Sequence, residues 1–110
     1  VAVSEFDLFK INRYCTGKVP VQYFDQMRIE SSVRGNSVTI VECRAPWHES
    51  LTEWSRHNVA QIRFDADAGN WSLYWRDRNG RWYLFDLVAP GTVDQMLAAI
   101  DEDTTAIFWG

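Results

Sequence analysis

The sequence predicts an α+β fold: an antiparallel β-meander of about five strands, with an N-terminal and a C-terminal helix packed on one face. Three observations predict it. Apolar and polar residues alternate in successive short runs separated by turn residues. The turns are short, at Gly35-Asn36, Ala68-Gly69-Asn70 and Asn79-Gly80, and short turns join neighbouring strands antiparallel. Helical spacing of apolar residues is confined to the two ends, each opened by a hydroxyl residue.

Ser4 caps the first helix through the amide of Asp7, and Asp7 is an acid in the first turn, where the helix dipole favours it. Leu8, Ile11 and Cys15 recur at helical spacing, and Gly17 suits the position just past the helix end. Val21 to Gln26 reads as a short turn. Residues 27–33 alternate, with Met27, Ile29 and Val33 on one side. Gly35-Asn36 turns the chain, and residues 37–44 return with Val33 facing Val38, Ser31 facing Ile40 and Ile29 facing Glu42. Arg28, Glu30, Ser32 and Thr39 then share a wet face.

Residues 45–58 have no strand period and form the longest irregular connection, with a helical turn expected near 50–55. Residues 59–66, 71–77 and 81–88 are the remaining strands. Pro90-Gly91 breaks the sheet. Thr92 caps the last helix with Gln95 at the capping-box position, and Val93, Met96, Leu97 and Ile100 form its apolar stripe. Asp101, Glu102 and Asp103 oppose the dipole at its end, so fraying is expected there. The apolar tail Ile107-Phe108-Trp109 must dock to be soluble.

The stretch 71–87 carries the sharpest signal. Asn79-Gly80 between aromatic runs predicts a two-residue hairpin turn. With that turn and a two-residue loop at Ala68-Gly69, Phe64 faces Leu73, Ile62 faces Trp75 and Trp75 faces Leu84. One face becomes Ala60, Ile62, Phe64, Trp71, Leu73, Trp75, Trp82 and Leu84, which is core. The other carries Gln61, Arg63, Asp65, Ser72, Tyr74, Arg76, Arg78, Arg81, Tyr83, Phe85 and Leu87, with Arg63 across from Tyr74 and Arg76 across from Tyr83. A three-residue bulged loop at Asn79-Gly80 would exchange the faces of the fifth strand.

A chain of 110 residues is expected to be one domain, 1–110, with a single core. Aromatic residues make up 15% of it, six of them Trp, so that core can be dense. Net charge −4 argues against wholesale binding of nucleic acid or acidic membrane, while leaving room for a local basic patch. Cys15 and Cys43 lack CxxC spacing and read as reduced thiols. Residues 1–10 show no leader and no stretch is apolar enough to span a membrane, so a cytoplasmic, non-membrane protein is expected.

Arginines interleaved with aromatics on a sheet face are how single-strand binders stack bases and grip phosphates. The same residues also stabilise a wet face by cation–π contact. The binding candidates are therefore Arg63, Tyr74, Arg76, Arg78, Arg81 and Tyr83, and the candidate partners are an anionic ligand, a nucleic acid strand or a second copy of the chain. An enzyme using Glu42 and Asp86, or His48 and His57, is the alternative, and a structural homodimer a third. In a helix Glu49, Glu53 and His57 would align, but HExxH is absent and no metal or cofactor is expected.

Several segments occur in an order that resembles a known family: Arg-Gly-Asn-Ser-Val-Thr-Ile-Val-Glu (34–42), Ala-Pro-Trp (45–47), Glu-Trp (53–54), Val-Ala-Gln-Ile-Arg-Phe (59–64) and Trp-Ser-Leu-Tyr-Trp-Arg-Asp-Arg-Asn-Gly-Arg-Trp (71–82). They are similar to the domain of unknown function numbered three thousand and twenty-four. The resemblance spans most of the chain, and the tryptophan-rich hairpin is its most specific part. It implies a small soluble bacterial protein of one domain, and it brings no activity and no site residues.

Overall fold

The structure, a computed structural model, describes residues 3–110; Val1 and Ala2, part of the stretch read above for a leader, lie outside the described residues. The elements follow in the order α1 (Glu5–Gly17), a single 3₁₀ turn (Val21–Tyr23), β1 (Met27–Arg34), β2 (Ser37–Arg44), β3 (Ser55–Asp65), β4 (Asn70–Arg76), β5 (Trp82–Leu84) and α2 (Val93–Glu102). The five strands form one antiparallel sheet in sequential order.

Both caps form as the sequence dictates. Ser4 Oγ accepts from the Asp7 amide at 3.1 Å. Thr92 and Gln95 satisfy each other's backbone amides in a full capping box. Gly17 is the last residue of α1 rather than the residue beyond it, and Lys18 closes the helix in right-handed conformation. Met96 and Ile100 of α2 and Ile11 and Cys15 of α1 pack with Ile29, Val38, Ile40, Ala60, Ile62, Trp71 and Leu73 into one cluster. Those strand residues share one parity, so the helices cover one face of the sheet. Trp71 is fully buried, and its indole Nε1 donates to Asp7 Oδ2 at 3.1 Å, tying the first turn of α1 to β4.

Glycine chemistry sets the first turn. Gly35 has φ +59° and no positive φ occurs at Asn36, the glycine-first pattern of a type II′ hairpin. The expected pairs Val33↔Val38, Ser31↔Ile40 and Ile29↔Glu42 are all present. At the next turn Asp65 Oδ1 accepts from the amides of Asp67 and Ala68, making a four-residue loop. Ile62 therefore pairs Leu73 and Phe64 pairs Trp71, two residues from the expected register, and the face assignments survive because the shift is even.

The third hairpin departs from expectation. Only Gly80 has positive φ, at +82°; no positive φ occurs at Asn79, which a type I′ turn requires. Asp77 Oδ1 accepts from the amides of Asn79 and Arg81, and the Asp77 amide donates to the Arg81 carbonyl. The loop is thus three residues, Arg78-Asn79-Gly80, and the pairs are Arg76↔Trp82, Trp75↔Tyr83 and Tyr74↔Leu84. The shift is odd, so β5 turns over. Trp82 and Leu84 leave the core face, Leu84 being 53% exposed, while Tyr83 and Phe85 take it. β5 is also short: the Phe85 amide still donates to Leu73, residues 86–90 loop out, and Gly91 rejoins the sheet through two hydrogen bonds with Trp71.

The end of α2 does not fray. Asp103 takes the left-handed conformation, φ 46°, and its carboxylate accepts from the amides of Phe108, Trp109 and Gly110. This folds the tail back so that Phe108 packs on Phe85, ring centroids 5.1 Å apart, and Trp109 Nε1 donates to the Ile100 carbonyl. Residues 45–54 are irregular with a turn at His48 to Leu51, and β3 starts at Ser55, so the helical turn expected near 50–55 is replaced by the approach to a strand.

Candidate functional site

The face of the sheet opposite the helices is built by simple alternation. It presents Arg28 and Glu30 from β1, Thr39, Val41 and Cys43 from β2, Arg56, Asn58, Gln61 and Arg63 from β3, Tyr74 and Arg76 from β4, and Trp82 and Leu84 from β5. Val41 and Cys43 are buried yet stand outside the helix-covered cluster. Long side chains cover them: Arg56 Nη1 lies 3.2 Å from Glu30 Oε1 and 3.6 Å from Cys43 Sγ.

A polar chain crosses three strands on this face. Gln61 Nε2 donates to Thr39 Oγ1 at 2.9 Å, and Arg63 Nε donates to Gln61 Oε1 at 2.7 Å. The Arg63 guanidinium carbon then lies 3.8 Å from the centre of the Tyr74 ring. Arg28 sits over Trp54 at 4.6 Å and Arg76 over Trp82 at 5.6 Å. Each pair contributes about 0.5–1 kcal/mol at an exposed site. Guanidinium planes and aromatic rings are both surfaces on which another planar group can stack.

Arg63, Tyr74 and Arg76 are thus brought together as expected, although Arg63 pairs with Ser72 and reaches Tyr74 diagonally. Arg78 stands in the turn. Arg81 and Tyr83 do not join them; the odd loop puts both on the helix side, where Tyr83 stacks on Trp75 with centroids 4.9 Å apart. Trp82 takes the place expected for Tyr83. The signal for this was Asp77, whose side chain can accept two turn amides and hold a longer loop than Asn-Gly alone requires.

The sequence puts Arg56, His57 and Asn58 in a loop beside this surface, whereas Arg56 and Asn58 stand on it and His57, opposite Glu42, has the helix-side parity. They belong to β3, at the end where a bulge falls: Ile40 pairs with Ala60, but Val41 pairs with Asn58. A bulge sharpens the local twist, and the β3–β4 ladder stops at Gln61↔Tyr74. Beyond that pair the strands part around a cleft of about 360 Å³, with Arg56, His57 and Asn58 on one lip and Arg76 to Gly80 on the other. Arg76 and Arg78 have no ion-pair partner among the described residues. Asp77 spends its carboxylate on the turn, and accepting the Arg81 amide holds that carboxyl below its usual range.

Neither acid–base pair converges as expected, Glu42 with Asp86 or His48 with His57, although Glu42 and His57 stand opposite each other in the β2–β3 ladder. Glu42 accepts from Arg44 at 2.6 Å. Asp86 is exposed in the turn after β5, and β3 and β4 lie between the two. His48 hydrogen-bonds Ser50 within its own loop, and His57 lies in β3. Glu49, Glu53 and His57 share no helix, and among the described residues no three His, Cys, Asp or Glu side chains are grouped to hold a metal ion. Among the described residues no helix is long and apolar enough to cross a membrane.

No curated protein and no solved structure matches the chain. A family model described as Domain of unknown function (DUF3024) matches residues 2–110, and the chain belongs to that family.

Proposed function

We propose that this chain is a single-domain, non-enzymatic binding module that takes a single strand of nucleic acid on the open face of its sheet. The observation that carries the reading is the set of arginines over aromatic rings on that face, Arg63 on Tyr74 and Arg76 on Trp82, beside arginines that lack a carboxylate partner. Unstacked bases pack on guanidinium planes and aromatic rings, and phosphates need uncompensated positive charge. In a protein of net charge −4, such charge survives only where it is local, as it is here. The free, buried thiols of Cys15 and Cys43 support a cytoplasmic setting.

The test is fluorescence anisotropy of labelled single-stranded oligonucleotides at low salt. Affinity is expected to fall steeply as salt rises. The double change Arg63→Ala with Arg76→Ala is expected to abolish binding, while Arg81→Ala, on the other face, leaves it nearly unchanged. No binding at low salt, or binding that ignores the double change, overturns the reading.

A further inference from the structure

We infer that the cleft where β3 and β4 part is a seat for a phosphate group. This deepens the proposed function and rests on it only for the source of the phosphate, the backbone of a strand whose bases lie on the neighbouring rings. The cleft has the size and the charge for such a group. About 360 Å³ is too small for a folded partner and ample for one phosphate with its water. Three arginines, Arg56, Arg76 and Arg78, and one acid, Asp77, line it; Asp77 is already accepting two backbone amides, and Arg56 is paired with Glu30, so the uncompensated charge at the cleft is that of Arg76 and Arg78. Guanidinium forks match phosphate oxygens two at a time, which a lysine cluster would not do.

The seat is preformed on two sides. Arg56, on one lip, is anchored across β2 by its ion pair with Glu30. Arg76 lies across Gly80, so close that a Cβ there would stand 2.7 Å from its Nη2. Glycine at that position suits the positive φ, and a Cβ there would push the Arg76 guanidinium aside from its resting place. Arg76 also touches the Trp82 ring, so one residue links the phosphate seat to the stacking surface. The cleft opens where the β3–β4 ladder has ended at Gln61↔Tyr74, beside the bulge of β3 at Val59.

The experiment titrates inorganic phosphate into the full chain and follows the arginine Nε–Hε signals by NMR, with chloride at matched ionic strength as the control. Phosphate is expected to move the signals of Arg56, Arg76 and Arg78 saturably and to leave Arg63 in place. Arg78→Ala, in an exposed turn where folding is not at stake, is expected to weaken phosphate binding about tenfold or more. Shifts equal to those with chloride, or an Arg78→Ala protein that binds phosphate unchanged, overturn the seat.

Oligonucleotides separate this from the broader reading. Phosphate binding without oligonucleotide binding keeps the seat and removes the strand. Oligonucleotide binding that leaves Arg56 and Arg78 unmoved keeps the strand and removes the seat. A strand bearing neutral methylphosphonate linkages is expected to lose most of its affinity; if it binds as tightly as the natural one, the seat is overturned.

Discussion

The rings of Trp75 and Tyr83 stack with centroids 4.9 Å apart and planes 29° from parallel. This contact exists only because the loop between β4 and β5 has three residues. Tyr83→Ala is expected to cost about 1–2 kcal/mol through the lost stack and its buried area. Trp82→Ala, on the open face with Arg76 over its ring, is expected to cost about 1 kcal/mol. With a two-residue loop Trp82 would be core, and its truncation would cost about 3–5 kcal/mol. Urea unfolding of the two variants distinguishes the registers, since an order of costs with Trp82 far ahead contradicts the structure.

The tail is held by a charge. Burial opposes ionisation of Asp103, but the amides of Phe108, Trp109 and Gly110 outweigh it and hold the carboxyl below its usual range. Its stabilisation is fully present above the unfolded pKa of about 3.9 and is lost as pH falls through the lower folded value. Asp101, held low by Lys18, has the same sign. Asp103→Ala is expected to cost about 1–3 kcal/mol near neutral pH, and Asp103→Asn less, because Asn tolerates the left-handed backbone and keeps one acceptor. Denaturation midpoints followed into acid are expected to fall less steeply for Asp103→Asn than for the parent; equal slopes contradict this role.

Gly91 and Gln95 compete for one space. A Cβ at Gly91 would lie 2.0 Å from Gln95 Oε1, which accepts from the Thr92 amide. Gly91→Ala and Gln95→Ala are each expected to cost about 0.5–1 kcal/mol by breaking the same half of the capping box. Together they are expected to cost little more than either alone. Full additivity in thermal melts would show that the two act separately.

Cys43 reports on the open face. Burial first, and then the hydrogen bond to Glu30, push its thiol up. Glu30→Gln is expected to speed Cys43 labelling by a thiol reagent severalfold near pH 8, as the thiolate fraction rises and the Arg56 cover loosens. Cys15, in the helix-covered core with its thiol pushed up to about 11, is expected to stay unlabelled in the folded protein. Peptide mapping checks which residue reacts, and Cys15 reacting first would contradict the placement.

Local chemistry in the sequence determined the caps at Ser4 and Thr92, the apolar stripe of α2, the β1–β2 register and the faces of β1 to β4. Each of these depends on residues close in the chain, and β1 to β4 alternate strongly enough to survive an even error in loop length. The faces of β5 did not follow from the sequence. Arg81-Trp82-Tyr83-Leu84-Phe85 is apolar or aromatic at nearly every position, so alternation could not choose a face, and one residue of loop held by Asp77 decided it. Tertiary packing also decided that the tail closes on Phe85 and that β3 bulges at Val59, because both need partners far away in the chain. The candidate site divides the same way. Arg63, Tyr74 and Arg76 were legible by parity, whereas Trp82 and the lip of Arg56, His57 and Asn58 required the loop length and the bulge, which change parity without leaving a periodic trace.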